Sequence, residues 1–335
     1  MSTRDEPLVC VLTPAYNGEE FLEECVLSLR AQTYRNFRHI IVNNCSTDGT
    51  LELATRLARE DSRLEVHTND TFVSLMENHN TAFRKTPPEA KYCKILSADD
   101  VLFPEFLSHM VDAAERHPSA GFVGCYQLSG TRIRWQGFPY PQTLLNGREL
   151  GRQMLHSRDP SFGFGTPTST LYRADIVRST DSFYPNDFAH ADTSVYYRHL
   201  MECDYAFVYQ VLCIERLAPD SATPRAARMR EYFPGAVGDL VEYGHHYLSP
   251  DEHKKMLGEL LSLYRRTLAA DLMSLKGREF LDFHRQRLAE LGYPLTTSTL
   301  VKAGLAELAS EVVNPQQLIA KVRQRLGKRT AKARS

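Results

Sequence analysis

Three short apolar runs that each stop abruptly in small polar residues constrain the fold of this chain more than any other feature. Leu8-Val9-Cys10-Val11-Leu12 runs into Thr13-Pro14-Ala15-Tyr16-Asn17-Gly18, and His39-Ile40-Ile41-Val42 runs into Asn43-Asn44-Cys45-Ser46-Thr47-Asp48-Gly49-Thr50. Tyr92-Cys93-Lys94-Ile95-Leu96 runs into Ser97-Ala98-Asp99-Asp100. Runs that are apolar on successive residues suit strands covered on both faces, the setting of a parallel sheet. Helical spacing follows the first two: Phe21, Leu22, Cys25, Val26 and Leu29 share one face, as do Leu51, Leu53, Ala54, Leu57 and Ala58. Strand, helix, strand, helix implies right-handed crossovers. All the polar ends then meet at one edge, where open α/β sheets bind ligands beside helix N-termini.

The same signals organise the rest of the chain. Asn17 is predicted to cap the first helix with Glu20 closing a capping box, and a third strand is expected at Leu64-Glu65-Val66-His67. Ser74 with Glu77 should open a helix carrying Asn78, His79 and Asn80, and Pro104 should sit near the start of a helix over 105–116. After a strand over 121–128, the irregular stretch 130–142 reads as a boundary. Beyond it come a helix near 146–156, a strand near 169–172, a helix near 191–202 and a strand near 205–214. Past Thr223 the pattern turns to long helices, one opened by Ser249-Pro250-Asp251-Glu252 and a last one by Asn314-Pro315, ending in a basic tail from Lys321 to Arg334. The expected parts are therefore 1–128, 129–222 and a helical extension over 223–335.

Composition narrows the function classes. A net charge of −1 over 335 residues gives no global electrostatic case for nucleic acid. No apolar run approaches the roughly 18 residues of a membrane span, and Met1 to Pro7 is polar, so a cytoplasmic protein is expected. Seven cysteines without a Cys-x-x-Cys spacing indicate neither a disulfide framework nor a zinc site.

Four segments in register resemble the family 2 glycosyltransferases of the GT-A fold: Thr13-Pro14-Ala15-Tyr16-Asn17, Ser28-Leu29-Arg30-Ala31-Gln32-Thr33-Tyr34, Ser46-Thr47-Asp48-Gly49-Thr50 and Ser97-Ala98-Asp99-Asp100. The resemblance is high over the first third of the chain and thinner to about Ser221. It implies an α/β, Rossmann-like nucleotide-diphospho-sugar transferase fold with a mostly parallel sheet. It divides that fold into a donor half over 1–128 and an acceptor half over 129–222. The implied reaction is inverting transfer of a sugar from a nucleoside diphosphate to an acceptor hydroxyl, in polysaccharide or glycoconjugate synthesis. The implied cofactor is Mn2+ or Mg2+.

The resemblance assigns roles residue by residue. Thr13, Ala15 and Tyr16 fall at the base and ribose, Asn44 at the base edge, and Asn80 and Asp99 with the donor. Asp100 is the expected metal ligand, because a cation there stabilises the departing diphosphate more in the transition state than in the ground state. His79 and Arg216 are candidates for the phosphates; Thr166, in Gly165-Thr166-Pro167-Thr168-Ser169, for the acceptor cleft; and Trp135 for an acceptor-sugar platform. Asp192 is the expected base, with His190 as the second choice. The chain has amides at Asn43 and Asn44 where the family has acids, Ser97 where an acid is frequent, and Ala218 where a histidine is frequent. Those changes motivate the alternative of a GT-A domain that binds nucleotide sugar or glycan without transferring it. The basic tail suggests contact with an anionic membrane bearing a lipid-linked acceptor, and the C-terminal helices suggest a homodimer.

Overall fold

The computed structural model describes residues 6–157, 162–185, 190–217, 222–273 and 277–313. Its elements follow the expected alternation at first: β1 (Val9–Ala15), α1 (Leu22–Arg30), β2 (Phe37–Asn43), α2 (Thr50–Glu60), β3 (Leu64–Thr68), α3 (Leu75–Arg84) and β4 (Tyr92–Ile95). Then come β5 (Val101–Leu102), α4 (Phe106–Arg116), β6 (Ala120–Ser129), β7 (Arg132–Arg134), β8 (Leu144–Leu145), α5 (Gly147–His156), a 3-10 turn (Pro167–Ser169), β9 (Thr170–Arg173), α6 (Ala174–Arg178), α7 (Ala191–His199) and β10 (Asp204–Glu215). The remainder is helical: α8 (Ala222–Met229), α9 (Tyr232–Tyr247), α10 (Pro250–Met273), α11 (Arg278–Glu290) and α12 (Thr297–Val313).

The main path of the sheet is β3-β2-β1-β4-β9-β6-β10-β5. Pairs β3-β2, β2-β1, β1-β4 and β6-β10 are parallel, whereas β9 runs antiparallel to both β4 and β6. Every residue of β1 and of β4 is buried, as strands covered on both faces require. Ala15, Leu22, Val26, Ile41, Ala54, Leu57 and Leu64 form one of the clusters that seat the first two helices. Each such aliphatic side chain contributes roughly 1.5–3 kcal/mol when fully buried.

Two compact units are present, Met1–Gly235 with the sheet and Ala236–Ser335 with helices. In the helical unit, Ser249 and Glu252 form the expected reciprocal cap, the Glu252 amide donating to Ser249 Oγ and the Ser249 amide to Glu252 Oε2. Helix α11 closes in a Schellman arrangement at Gly292, whose φ is +83°: the Tyr293 amide donates to the Leu288 carbonyl and the Gly292 amide to that of Ala289. Among the described residues no helix is long and apolar enough to cross a membrane. The helix expected from Asn314 and the basic tail lie outside the described residues. All seven cysteines are free, six of them buried and Cys45 half-buried.

One local expectation fails. Asn17 does not cap α1, which starts at Leu22 behind Phe21 without a side-chain cap. Asn17 instead takes a left-handed conformation, φ +49°, which asparagine tolerates, and turns its side chain to the neighbouring loop.

Candidate functional site

The parallel register brings the strand ends to one level. Ala15 pairs with Asn43 and Asn43 with Thr68, while Leu12 pairs with Ile95 on the other side of β1. Tyr16, Asn44, Asn69 and Ser97 to Asp100 therefore line a single edge.

The loops after β1 and β2 are latched together. The Asn17 amide donates to Ser46 Oγ (3.0 Å), the Gly18 amide to Thr50 Oγ1 (2.8 Å) and the Glu19 amide to Asp48 Oδ2 (3.2 Å). In return the Thr47 amide donates to Asn17 Oδ1 (2.8 Å) and the Gly49 amide to Glu19 Oε2 (2.9 Å). A Cβ on Gly49 would come within 2.5 Å of that carboxylate, so the glycine permits the approach. Burial pushes the Asp48 carboxyl up, but the Thr50 hydroxyl and the amides around it outweigh burial and hold it below its ordinary value. The Ser46 to Thr50 segment thus braces the edge.

The next corner is built from amides. Asn44 Nδ2 donates to the Val73 carbonyl (2.9 Å), and Asn44 Oδ1 accepts from the Val73 amide (3.0 Å) and Asn69 Nδ2 (2.9 Å). Asn69 Nδ2 also donates to Asn78 Oδ1 on α3 (2.9 Å). Asn44 is 2% exposed, and its carbonyl oxygen already accepts two protons, so it clamps the loop over 69–74 rather than offering a bare edge. That loop holds Phe72, 61% exposed, edge-on to Tyr16, 49% exposed, with ring centroids 4.9 Å apart. Thr13 is fully buried, its hydroxyl 2.9 Å from His39 Nε2, and Ala15 is buried too. Burial pulls the His39 imidazole down to about 3.

The carboxylates stand at the end of β4. Asp100 is 5% exposed; its Oδ2 accepts from the Thr168 hydroxyl and its Oδ1 from the Arg216 amide (3.0 Å). Burial, then the neighbouring Asp99 charge, pushes its carboxyl up to about 7 against those two bonds. Asp99 is half-buried, and burial raises it also. The Arg216 guanidinium donates to the Asp99 carbonyl (3.1 Å) and to the Glu24 carboxylate, and lies 4.4 Å from the Phe21 ring centroid. Among the described residues no group of three or more His, Cys, Asp or Glu side chains gathers around a common point.

The remaining expected residues occupy separate surroundings. Asn80 Nδ2 donates to the Tyr184 carbonyl (3.0 Å) and Asn80 Oδ1 accepts the Tyr184 amide (2.8 Å), while His79 lies against the Tyr184 ring, 5.5 Å between centroids. Helix α3 thereby joins the amide corner to the segment before α7. Asp192 stands in the first turn of α7, accepts from the Thr193 amide (2.8 Å), and its charge helps to raise Tyr196 and Tyr184 after burial has done so. His190 precedes that helix, its ring 6.0 Å from Tyr232. The Thr166 hydroxyl donates to Gln127 Oε1 (2.6 Å) and caps the 3-10 turn. Trp135 Nε1 donates to the same Gln127 oxygen (3.3 Å), with Gly163 packed against the indole and the Arg134 guanidinium 5.2 Å from the ring. Ala218 lies outside the described residues.

Sequence reasoning passed over Phe72, Asn69, Lys94 and the link from Thr168 to Asp100. Lys94 did carry a signal, a charged side chain inside an otherwise apolar strand. Phe72 carried none, because an aromatic in a loop reads as either core or surface until the partner is known.

The family model described as glycosyl transferase family 2 matches residues 10–180. Over 194 residues, 56% of this chain and 54% of the relative, the sequence is 27% identical to an uncharacterized glycosyltransferase, EpsJ, of Bacillus subtilis strain 168. The matched stretches span 54%, 36% and 48% of three curated relatives, so the chain covers about a third to a half of their length. Among solved structures, S. aureus TarS 1-349 in complex with UDP-GlcNAc matches at TM-score 0.61 and 16% identity, covering 85% of this chain and 80% of that one. A mannosyltransferase, PcManGT, from Pyrobaculum calidifontis in complex with GDP-Man and Mn2+ matches at TM-score 0.55 and 16% identity, covering 90% and 87%. These likenesses show the GT-A fold.

Proposed function

The chain belongs to glycosyl transferase family 2, and from that membership we propose that it transfers a sugar from a nucleoside-diphosphate donor to an acceptor hydroxyl, with inversion and with Mn2+ or Mg2+. The observation that carries the reading is the shared level of the strand ends, with an exposed aromatic pair at one end of the row and two adjacent acids at the other. A nucleotide spans such a row, its base on the Tyr16 and Phe72 rings and its diphosphate beside Asp99.

The donor set suits a hard cation. Mg2+ and Mn2+ favour carboxylate, phosphate and water oxygens and need only one or two protein carboxylates when a substrate phosphate is present. Asp99 is the more open of the two acids; each Asp100 oxygen accepts one bond and keeps a lone pair, so Asp100 would join with Thr168 and the Arg216 amide still in place to orient it. Bound there, the cation would neutralise charge developing on the diphosphate. The solved relatives named with UDP-GlcNAc and with GDP-Man and Mn2+ support this reading.

On the acceptor side, Asp192 takes the proton of the attacking hydroxyl as it closes on the anomeric carbon opposite the diphosphate, and no covalent enzyme intermediate is required. A second reading, binding without transfer, draws on one feature: both oxygens of Asp100 are engaged within the protein. A thermal-shift panel of nucleotide sugars with and without Mn2+, followed by assay of donor hydrolysis, separates the two. Transfer predicts a metal-dependent stabilisation and release of nucleoside diphosphate. Stabilisation without release favours the second reading, and neither response defeats both.

A further inference from the structure

Lys94 lies in the middle of β4 and is fully buried. Its ammonium donates to the carbonyl oxygens of Ile95 (2.6 Å), Pro167 (2.9 Å) and Thr168, and sits 4.8 Å from the centroid of the Phe106 ring. Three donors meet three acceptors, which completes the hydrogen bonding of the group. A charge held this deep is costly even so, and a well-packed apolar side chain of similar length generally serves stability as well or better. What an apolar chain lacks is grip. Two of the three carbonyls belong to the 3-10 turn, 73 and 74 residues farther along the chain.

That turn carries the groups that arrange the acids. The Thr168 hydroxyl donates to Asp100 and lies 3.2 Å from the Ser97 hydroxyl, and the Ser97 amide donates to it (3.4 Å). Asp100 then accepts the Arg216 amide, and the Arg216 side chain reaches back to the Asp99 carbonyl. A continuous series of bonds therefore runs from Lys94 through Thr168 and Asp100 to the backbone of Asp99.

We infer that Lys94 is a positioning residue: its buried ammonium locks the Pro167–Ser169 turn onto the end of β4, so that Thr168 holds the Asp100 carboxylate in the orientation it presents, beside Asp99, to a divalent cation. The consequence for the cation rests on the donor-site reading above; the lock itself rests on the bonds just described. Lys94 touches no substrate. Its effect passes through Thr168, so the two side chains must behave as one unit when removed.

The test uses the full chain with Lys94→Met, Thr168→Val and the double variant. Hydrogen exchange reads the amides of Asp100 and Arg216, and calorimetry reads Mn2+ binding in the presence of UDP and, separately, GDP. Removing a group that orients a metal ligand weakens metal binding by about 10- to 100-fold. A loss in that range is expected for Lys94→Met, with faster exchange at both amides and a melting temperature no lower than that of Thr168→Val. Thr168→Val should show the same loss, and the double variant should be no worse than either single one within about twofold. Multiplying losses in the double variant would overturn the inference, as would wild-type exchange and Mn2+ affinity in Lys94→Met. If Lys94→Met does not fold, Lys94→Gln, which retains two donors, takes its place with an intermediate loss expected and no loss overturning. If the wild-type chain binds no Mn2+ with either nucleotide, the donor-site reading fails, and the exchange at Asp100 and Arg216 alone decides for or against the lock.

Discussion

At the corner between β2 and β3, Asn44, Asn69 and Asn78 satisfy one another and the Val73 backbone through neutral amides, whereas the end of β4 packs two carboxylates, an ammonium and a guanidinium into a small volume. Both corners are largely buried, but burial taxes them differently. A neutral amide with partners loses little on leaving water. A charge loses much, and both buried ions drift toward neutrality: Asp100 up to about 7 and Lys94 down to about 8, with burial the leading cause of each. The amide corner is held by neutral hydrogen bonds, while the end of β4 is tuned by charge.

The largest expected effects come from removing charge at the proposed base and the proposed cation ligand. Asp192→Asn should lower turnover by about 10²- to 10⁴-fold with the fold intact, and a loss under tenfold would reduce Asp192 to a helix-terminus role. Asp99→Asn should lower metal-dependent turnover by about 10²- to 10³-fold; if Asp100→Asn costs more than Asp99→Asn, the roles of the two acids are exchanged. On the neutral side Tyr16→Ala should weaken nucleoside-diphosphate binding by about 1–3 kcal/mol, the worth of one stacked base, with no change in melting temperature. Wild-type affinity in that variant, measured by calorimetry, would move the base elsewhere.

Asn44→Ala sharpens the contrast. It leaves the Val73 amide and an Asn69 proton without their acceptor, and should destabilise the chain by about 1–3 kcal/mol. Urea melts at pH 5 and pH 8 should give the same loss, because the bonds removed join neutral amides to one another and to backbone; a loss that changes with pH would show hidden charge. A pH-dependent effect belongs to Asp100. Its carboxyl rises from 3.8 to about 7 on folding, so between those values the folded state holds a proton that the unfolded state has released. Stability from this group is therefore complete below about pH 4 and drains away as pH rises through 7. Asp100→Asn, which mimics the protonated acid, should match the wild type near pH 4 and exceed its melting temperature at pH 8. A constant or inverted difference would remove the raised carboxyl.

Much of the scaffold was legible because it is written locally. The strand ends at Ala15 and Asn43, the cap at Ser74 and the box at Ser249 and Glu252 each depend on residues within a few positions of one another. The strand expected near 169–172 forms as β9, but its antiparallel place between β4 and β6 had no such signature, since its partners lie far away in the chain. Asn17 misled for the opposite reason: a good cap residue was captured by the adjacent loop.

By itself the sequence determined the alternation of strand and helix, the polar row at the strand ends and the adjacency of Asp99 and Asp100, because periodicity and punctuation act over a few residues. Only the tertiary structure decided that Thr168 and Arg216 engage Asp100, 68 and 116 residues away, that Asn44 clamps Val73 and that Lys94 holds the 3-10 turn. A buried polar group takes whichever partner the fold delivers to it, and hydrogen-bonding capacity alone does not say which of many distant partners arrives.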